Sequence, residues 1–134
     1  MTVIALTSPY SLKAATMAIG TDDFTAAVAG VTFTPSSSST TWRGIGGNVV
    51  SDVDTATWAC QSDHAQDLAA TGLTRYLLEH EGESVTVTFT PKGTGPDITA
   101  TITLTPAVIG GTTGGGIATA SATCPVTGAP VFVD

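Results

Sequence analysis

Charge is what this chain has least of. Only 11% of its 134 residues are Asp, Glu, Lys or Arg, against roughly 25% in an ordinary soluble domain. The four basic residues, Lys13, Arg43, Arg75 and Lys92, are scattered, and with eleven acidic residues the formal net charge is −7. A nucleic-acid-binding protein neutralises phosphates with clustered Lys and Arg, so stable nucleic-acid binding is excluded; an acidic surface would repel DNA. A lone monomer relies on charge for solubility. The deficit therefore points to surface hidden against copies of the chain or another partner.

Cysteine and long apolar runs are scarce too. No stretch approaches the roughly 20 apolar residues of a membrane span. The run Val3–Leu6 is too short for a signal-peptide core and lacks a basic start. The expectation is a protein made in the cytoplasm. In such a protein Cys60 and Cys124, the only two cysteines, read as buried thiols in preference to a bridge. The sequence does not fix whether they lie close in space.

What the chain has in place of charge is threonine, written with a period of two. VTFTP at 31–35 returns at 87–91, and ITLTP occupies 102–106. In 84–91, Val85, Val87 and Phe89 point one way and Ser84, Thr86, Thr88 and Thr90 the other. In 97–106, Ile98, Ala100, Ile102 and Leu104 oppose Thr99, Thr101, Thr103 and Thr105. The link PKGTGPD makes 84–105 a β-hairpin. Further strands are expected in 14–20, 23–35, 54–63 and 116–124, with GGTTGGG (110–116) as a hairpin connection.

One segment keeps a helical period instead: Leu73, Tyr76, Leu77 and His80 fall at i, i+3, i+4 and i+7. This predicts one short amphipathic helix around 71–81, capped by Thr71 and stopped near Gly82, lying on the apolar face of a sheet. The expected fold is one domain over 1–134, mainly β, a β-sandwich or partial barrel of about six to eight strands flanked by that helix. The expected core is Val31, Phe33, Trp58, Leu73, Tyr76, Leu77, Val87, Phe89, Ile102 and Leu104. Residues 36–50 form a long Ser/Gly-rich loop carrying Trp42, Arg43 and Ile45, and loops of this length are often functional. The ends read as arms, 1–12 and 126–134, the latter with Val131, Phe132 and Val133. Exposed apolar residues on a loop and a tail suggest contact surfaces; the alternative is a flexible loop whose Trp42 folds back onto its own domain.

Catalytic chemistry finds no foothold. WACQSDHAQD (58–67) is the densest polar cluster, but Ser62 and His64 lack an elbow, an orienting group and an oxyanion hole. Cys60, His64 and His80 are too few and too far apart for a zinc site. GIGGN (44–48) and GGTTGGG lack the Gly-Lys-Ser/Thr ending of a phosphate loop. No enzyme activity and no cofactor are expected.

An ordered set of pieces does resemble a known family. Trp58 with the polar run Gln61–Asp67, the helix with Leu73, Tyr76 and Leu77, the turn Glu81–Gly82, and the Thr-rich strand ending Phe89–Lys92 are similar to major tail tube proteins. These belong to long-tailed, siphovirus-like phages, in particular those infecting actinobacteria. VTFTPSSSSTTWRG (31–44) is similar to the family's first long strand and loop, while 51–58 departs from the pattern. The resemblance covers roughly residues 23–124.

It implies a structural virion protein of the tail, assembled in the host cytoplasm. Six copies would close into a ring, and rings would stack into a tube for genome passage. Partners would be further copies and other tail proteins such as the tape measure, tail terminator and baseplate or distal tail proteins, with DNA only in transit and no membrane. Trp42, Arg43, Ile45 and Val131 to Val133 would then contact neighbouring subunits. Thr86, Thr88, Thr99, Thr101 and Thr103 would offer a wettable, uncharged face suited to a lumen. The competing reading is an Ig-like or carbohydrate-binding β-sandwich module with Trp42 at its ligand-contacting tip.

Overall fold

The computed structural model describes residues 1–134. Nine strands and one helix follow in chain order: β1 (Thr16–Ile19), β2 (Asp22–Asp23), β3 (Val28–Ser36), β4 (Ser39–Arg43), β5 (Val49–Val53), β6 (Thr57–Ala65), α1 (Leu73–Glu79), β7 (Ser84–Thr90), β8 (Asp97–Thr103) and β9 (Thr119–Val133). Seven strands form one antiparallel sheet in the order β2-β1-β7-β8-β9-β6-β3, and β4 and β5 form a separate two-stranded sheet. The sheet does not close. It curls instead, so that Phe33 on β3 meets Phe89 on β7, ring centroids 6.5 Å apart, although three strands lie between theirs in the sheet order.

The period-two segments land as their pattern requires. β7 and β8 pair with Thr86 opposite Thr101 and Val87 opposite Ala100. Val87, Phe89, Ala100, Ile102 and Leu104 are buried on the inner face. Pro91 follows the last residue of β7, where the missing N–H costs no ladder bond. Pro35 lies within β3, and the sheet tolerates it because β3 is an edge strand with no partner on its outer side.

Helix α1 is shorter than the pattern suggests, and Thr71 does not cap it. The N-cap is Gly72, with extended dihedrals and no side-chain hydrogen bond. Its backbone passes so close to Asp67 that a Cβ at Gly72 would sit 2.7 Å from the Asp67 carbonyl oxygen, so only glycine fits there. The Thr74 hydroxyl accepts from the Asp67 N–H at 3.2 Å instead, tying the first turn down. Leu73 and Leu77 enter the core cluster with Met17, Ile19, Phe24, Val31, Cys60, Ala122 and Cys124. Gly82 takes φ +84°, the left-handed conformation expected just past a helix end. The helix is too short to cross a membrane, and none in the chain is long and apolar enough to do so.

Two segments expected to be irregular are strands. Residues 36–50 are not a loop: β4 pairs with β5 from Ser39↔Val53 to Arg43↔Val49, leaving only Gly44–Asn48 as the tip. The tail 126–134 is not a free arm either. It is the second half of β9, paired with β8 from Ile102↔Val126 to Asp97↔Val133. The register shifts by two residues between Thr99 and Thr101, where Gly128 at φ +80° absorbs the extra chain as a bulge.

Candidate assembly surface

The β4–β5 hairpin carries the first group of candidate residues. β-Branched Thr40, Thr41, Val49, Val50 and Val53 suit the pleat. The tip closes through Gly44 N–H donating to the Asn48 carbonyl at 2.9 Å. At the base, the Asp54 N–H donates to the Ser38 carbonyl at 2.9 Å and the Ser38 hydroxyl to the Asp54 carboxylate at 2.8 Å. Every residue of both strands is nevertheless exposed. Trp42 is 68% exposed and Ile45 fully so, with Val49, Val50 and Val53 beside them. Arg43 has no carboxylate partner, since the one ion pair in the chain is His80–Glu83. An isolated hairpin with no packed face is marginal by itself. This one therefore offers an apolar, Trp-bearing surface with nothing of its own chain on it.

Val131, Phe132 and Val133 are exposed as well, Phe132 by 72%, but at a different place. The strand β6 pairs with β9 only from Ala65↔Thr119 to Trp58↔Val126. Beyond Val126 the β6 side of β9 has no partner, and the inner face of the sheet lies open there. The result is a groove of 430 Å³ lined by Phe33, Trp58, Phe89, Ile98, Pro130 and Phe132 together with Tyr10, Val31 and Thr32. Trp58, expected in the core, is only half-buried and lines this groove. Phe33 and Tyr76 are also half-buried and pack on the core's margin. The other expected core residues are buried.

The hydroxyl residues do gather on one face. Thr86 stands opposite Thr101, Thr88 opposite Thr99 and Ser84 opposite Thr103. Cross-strand partners share a face, so the outer surface of β7–β8 is an uncharged hydroxyl ladder. It ends at Thr90, whose hydroxyl donates to Asp97 at 2.7 Å.

The polar cluster 58–67 begins on β6, which alternates buried and exposed positions from Cys60 to His64. Cys60, Ser62 and His64 point inward and are buried, while Gln61 and Asp63 point out. Cys60 stands opposite Cys124 in the ladder, both thiols free. Burial, and then the neighbouring Cys124, push the Cys60 thiol up to about 12. His64 is 1% exposed, and neither ring nitrogen has a hydrogen-bond partner. Burial holds its pKa below the ordinary value; the Ser62 backbone and Asp63 pull weakly the other way without forming a bond of good geometry. A period-two count starting from Trp58 places 60, 62 and 64 on one face, which was the available signal; their polarity hid it. His80 is the C-cap of α1, lies tilted against Tyr76 with ring centroids 4.5 Å apart and contacts Glu83. No group of three potential metal ligands converges anywhere in the chain.

No protein-family model matches this chain, and no curated protein does. Its structure does match a chain from the sheath/tube terminator of PVC, an extracellular contractile injection system solved by cryo-EM in the extended state. The match covers 97% of this chain and all of that one, with a TM-score of 0.68 at 14% identity. The two share a fold. The likeness therefore runs along nearly the whole of both chains.

Proposed function

We propose that this chain is a structural subunit of a phage tail, a protein that assembles with copies of itself into rings stacked as the tail tube. The observation that carries the reading is the projecting, wholly exposed β4–β5 hairpin on a fold shared along nearly its full length with a component of a sheath/tube terminator. Three features support it. A charge-poor surface with an exposed Trp-bearing arm and an open apolar groove is suited to burial between subunits. The nine-residue edge strand β3 has an unpaired outer side available to a neighbour's sheet. The hydroxyl ladder of Thr86, Thr88, Thr99, Thr101 and Thr103 would line a channel with groups that wet easily and hold DNA weakly, and the net charge of −7 adds mild repulsion.

In this reading six subunits form each ring, as in the siphovirus-like tail tube proteins the sequence resembles. The genome passes through the stack, and the tape measure, tail terminator and baseplate proteins are its neighbours. The subunit is assembled in the host cytoplasm and resides in the virion tail. It carries out no catalysis. The PVC likeness leaves room for a subunit that ends a tube rather than extends it. Sedimentation velocity over a concentration series separates the two: a tube subunit gives an open-ended ladder of large species, a terminator a single closed oligomer. A protein that sediments as a monomer at every concentration and binds a glycan through Trp42 would favour the carbohydrate-binding alternative.

A further inference from the structure

We propose that Cys60 and Cys124 form a built disulfide site, a pair of facing thiols that an external disulfide converts into a covalent rung between β6 and β9. The two are the only cysteines in 134 residues. The fold nevertheless sets them directly opposite each other, Cys60↔Cys124, on neighbouring antiparallel strands. Both side chains turn to the inner face, 3% and 4% exposed, and both thiols are free. Cross-strand partners in such a ladder stand about 4.5–5.5 Å apart at Cα, inside the roughly 4.4–6.8 Å that a bridge spans. Their Cβ atoms, at about 4.5–5.5 Å, need to close by on the order of 1 Å to reach bridging distance. Every rung from Ala65↔Thr119 to Trp58↔Val126 follows without a register shift, so the bridge asks for no change of pairing. On the same face the next rung is Ser62↔Ala122, two small side chains that do not wedge the strands apart.

The oxidant is a low-molecular-weight disulfide, RSSR. One cysteine thiolate attacks it, forming a mixed disulfide on the protein and releasing RS−. The second cysteine gives up its proton and attacks the protein sulfur of that mixed disulfide, forming the Cys60–Cys124 bond and releasing the second RS−. Each RS− takes up one of the two protons that the cysteines lost. Two protein thiols are thus oxidised, and one RSSR is reduced to two RSH. Burial, and then Cys124 itself, push the Cys60 thiol up to about 12, so the closed sheet resists the first attack. That step belongs to the chain before β9 seats against β6, or to a local opening of the two strands. The second step needs only the rung to re-form. The bridge closes a loop of about 60 residues, which removes much of the unfolded chain's freedom. A reducing cytoplasm keeps such a pair as thiols and an oxidising exterior closes it. In the tail reading the chain is made in the first and released into the second; the bridge itself does not depend on that reading.

Oxidative refolding tests it. The chain is unfolded in urea with reductant, freed of the reductant and diluted at pH 8 into oxidised glutathione. The product is followed by intact mass, peptide mapping, circular dichroism and Tm. The expected product is lighter by two hydrogens, has the peptides holding Cys60 and Cys124 joined within one chain, and offers no thiol to an alkylating reagent after unfolding. Its circular dichroism matches that of the reduced protein. Its Tm is higher by at least about 5 °C, a shift that reductant abolishes. Cys60→Ala protein treated in the same way shows no dependence on reductant. Chains that stay dithiol, stop at the glutathione adduct or link only between molecules overturn the proposal. So does a bridge that forms with loss of the sheet signal or a lowered Tm. Any of these leaves the self-assembly reading standing, since that reading uses neither cysteine.

Discussion

Single residues divide here into those that hold the fold and those left over from it. Leu104 is fully buried, and Leu104→Ala removes buried methyl groups and leaves a cavity, a loss of about 2–5 kcal/mol in chemical denaturation. Trp42→Ala removes an exposed side chain outside the core and is expected to shift stability by less than about 0.5 kcal/mol, while impairing assembly. His64 is a third kind, a buried ring with both nitrogens unpartnered. Its folded pKa lies below the unfolded value of roughly 6.5. Above that value both states are neutral. As pH falls through it, the unfolded chain takes up a proton that the folded chain refuses, so stability declines until the folded pKa is passed. His64→Leu is expected to flatten that decline in urea titrations at a series of pH values from 7 to 5; an unchanged slope would assign the acid sensitivity elsewhere. The Cys60 thiol, pushed up to about 12, is almost wholly protonated at neutral pH, and protonated thiols react poorly. Native protein is therefore expected to resist a thiol reagent to which both cysteines yield once unfolded, and rapid labelling of native protein would contradict their burial.

At the level of elements, the sequence made some structure legible and hid some. The β7–β8 hairpin and the α1 stripe were legible because each has one face in the core and one in water, and burial writes a period into the sequence. The β4–β5 hairpin writes none, because all ten of its strand residues are exposed. Its strand signal, Thr40 to Trp42 and Val49–Val50 around a Gly-rich tip, was masked by the preceding serines. The end of β9 was hidden by Pro125, Gly128 and Pro130, residues that argue against a strand interior. Only the bulge at Gly128 reconciles them with the ladder. The long β8–β9 connection is held by Gln66, whose amide donates to the Gly110 carbonyl at 2.7 Å and accepts from the Gly110 N–H at 2.9 Å. Gln66→Ala is expected to cost about 1 kcal/mol and to speed amide exchange across residues 108–118 while β7 and β8 stay protected. Protection unchanged in that segment would show that the connection is held by something other than Gln66. The candidate contact surfaces were partly legible: the exposed residues stood out as apolar groups on unpatterned segments. The groove did not, because it depends on β9 outrunning β6, a matter of register between strands about 60 residues apart.

The whole molecule carries little charge, exposes an apolar arm, leaves one end of its sheet uncovered and displays a neutral hydroxyl face. Each feature is a liability in a solitary soluble domain. Together they suit a subunit that is buried on several sides and wetted on one. The chain shares its fold with a component of the sheath/tube terminator of a contractile injection system. Assembly is thus the property on which the account stands, and electron microscopy of the purified, concentrated protein tests it most directly. The account predicts rings and stacked tubes, with ring averages showing six-fold symmetry, and their disappearance in Trp42→Asp protein that remains folded. Protein that stays dispersed as single particles at high concentration, and does not add to preformed tubes, would contradict it.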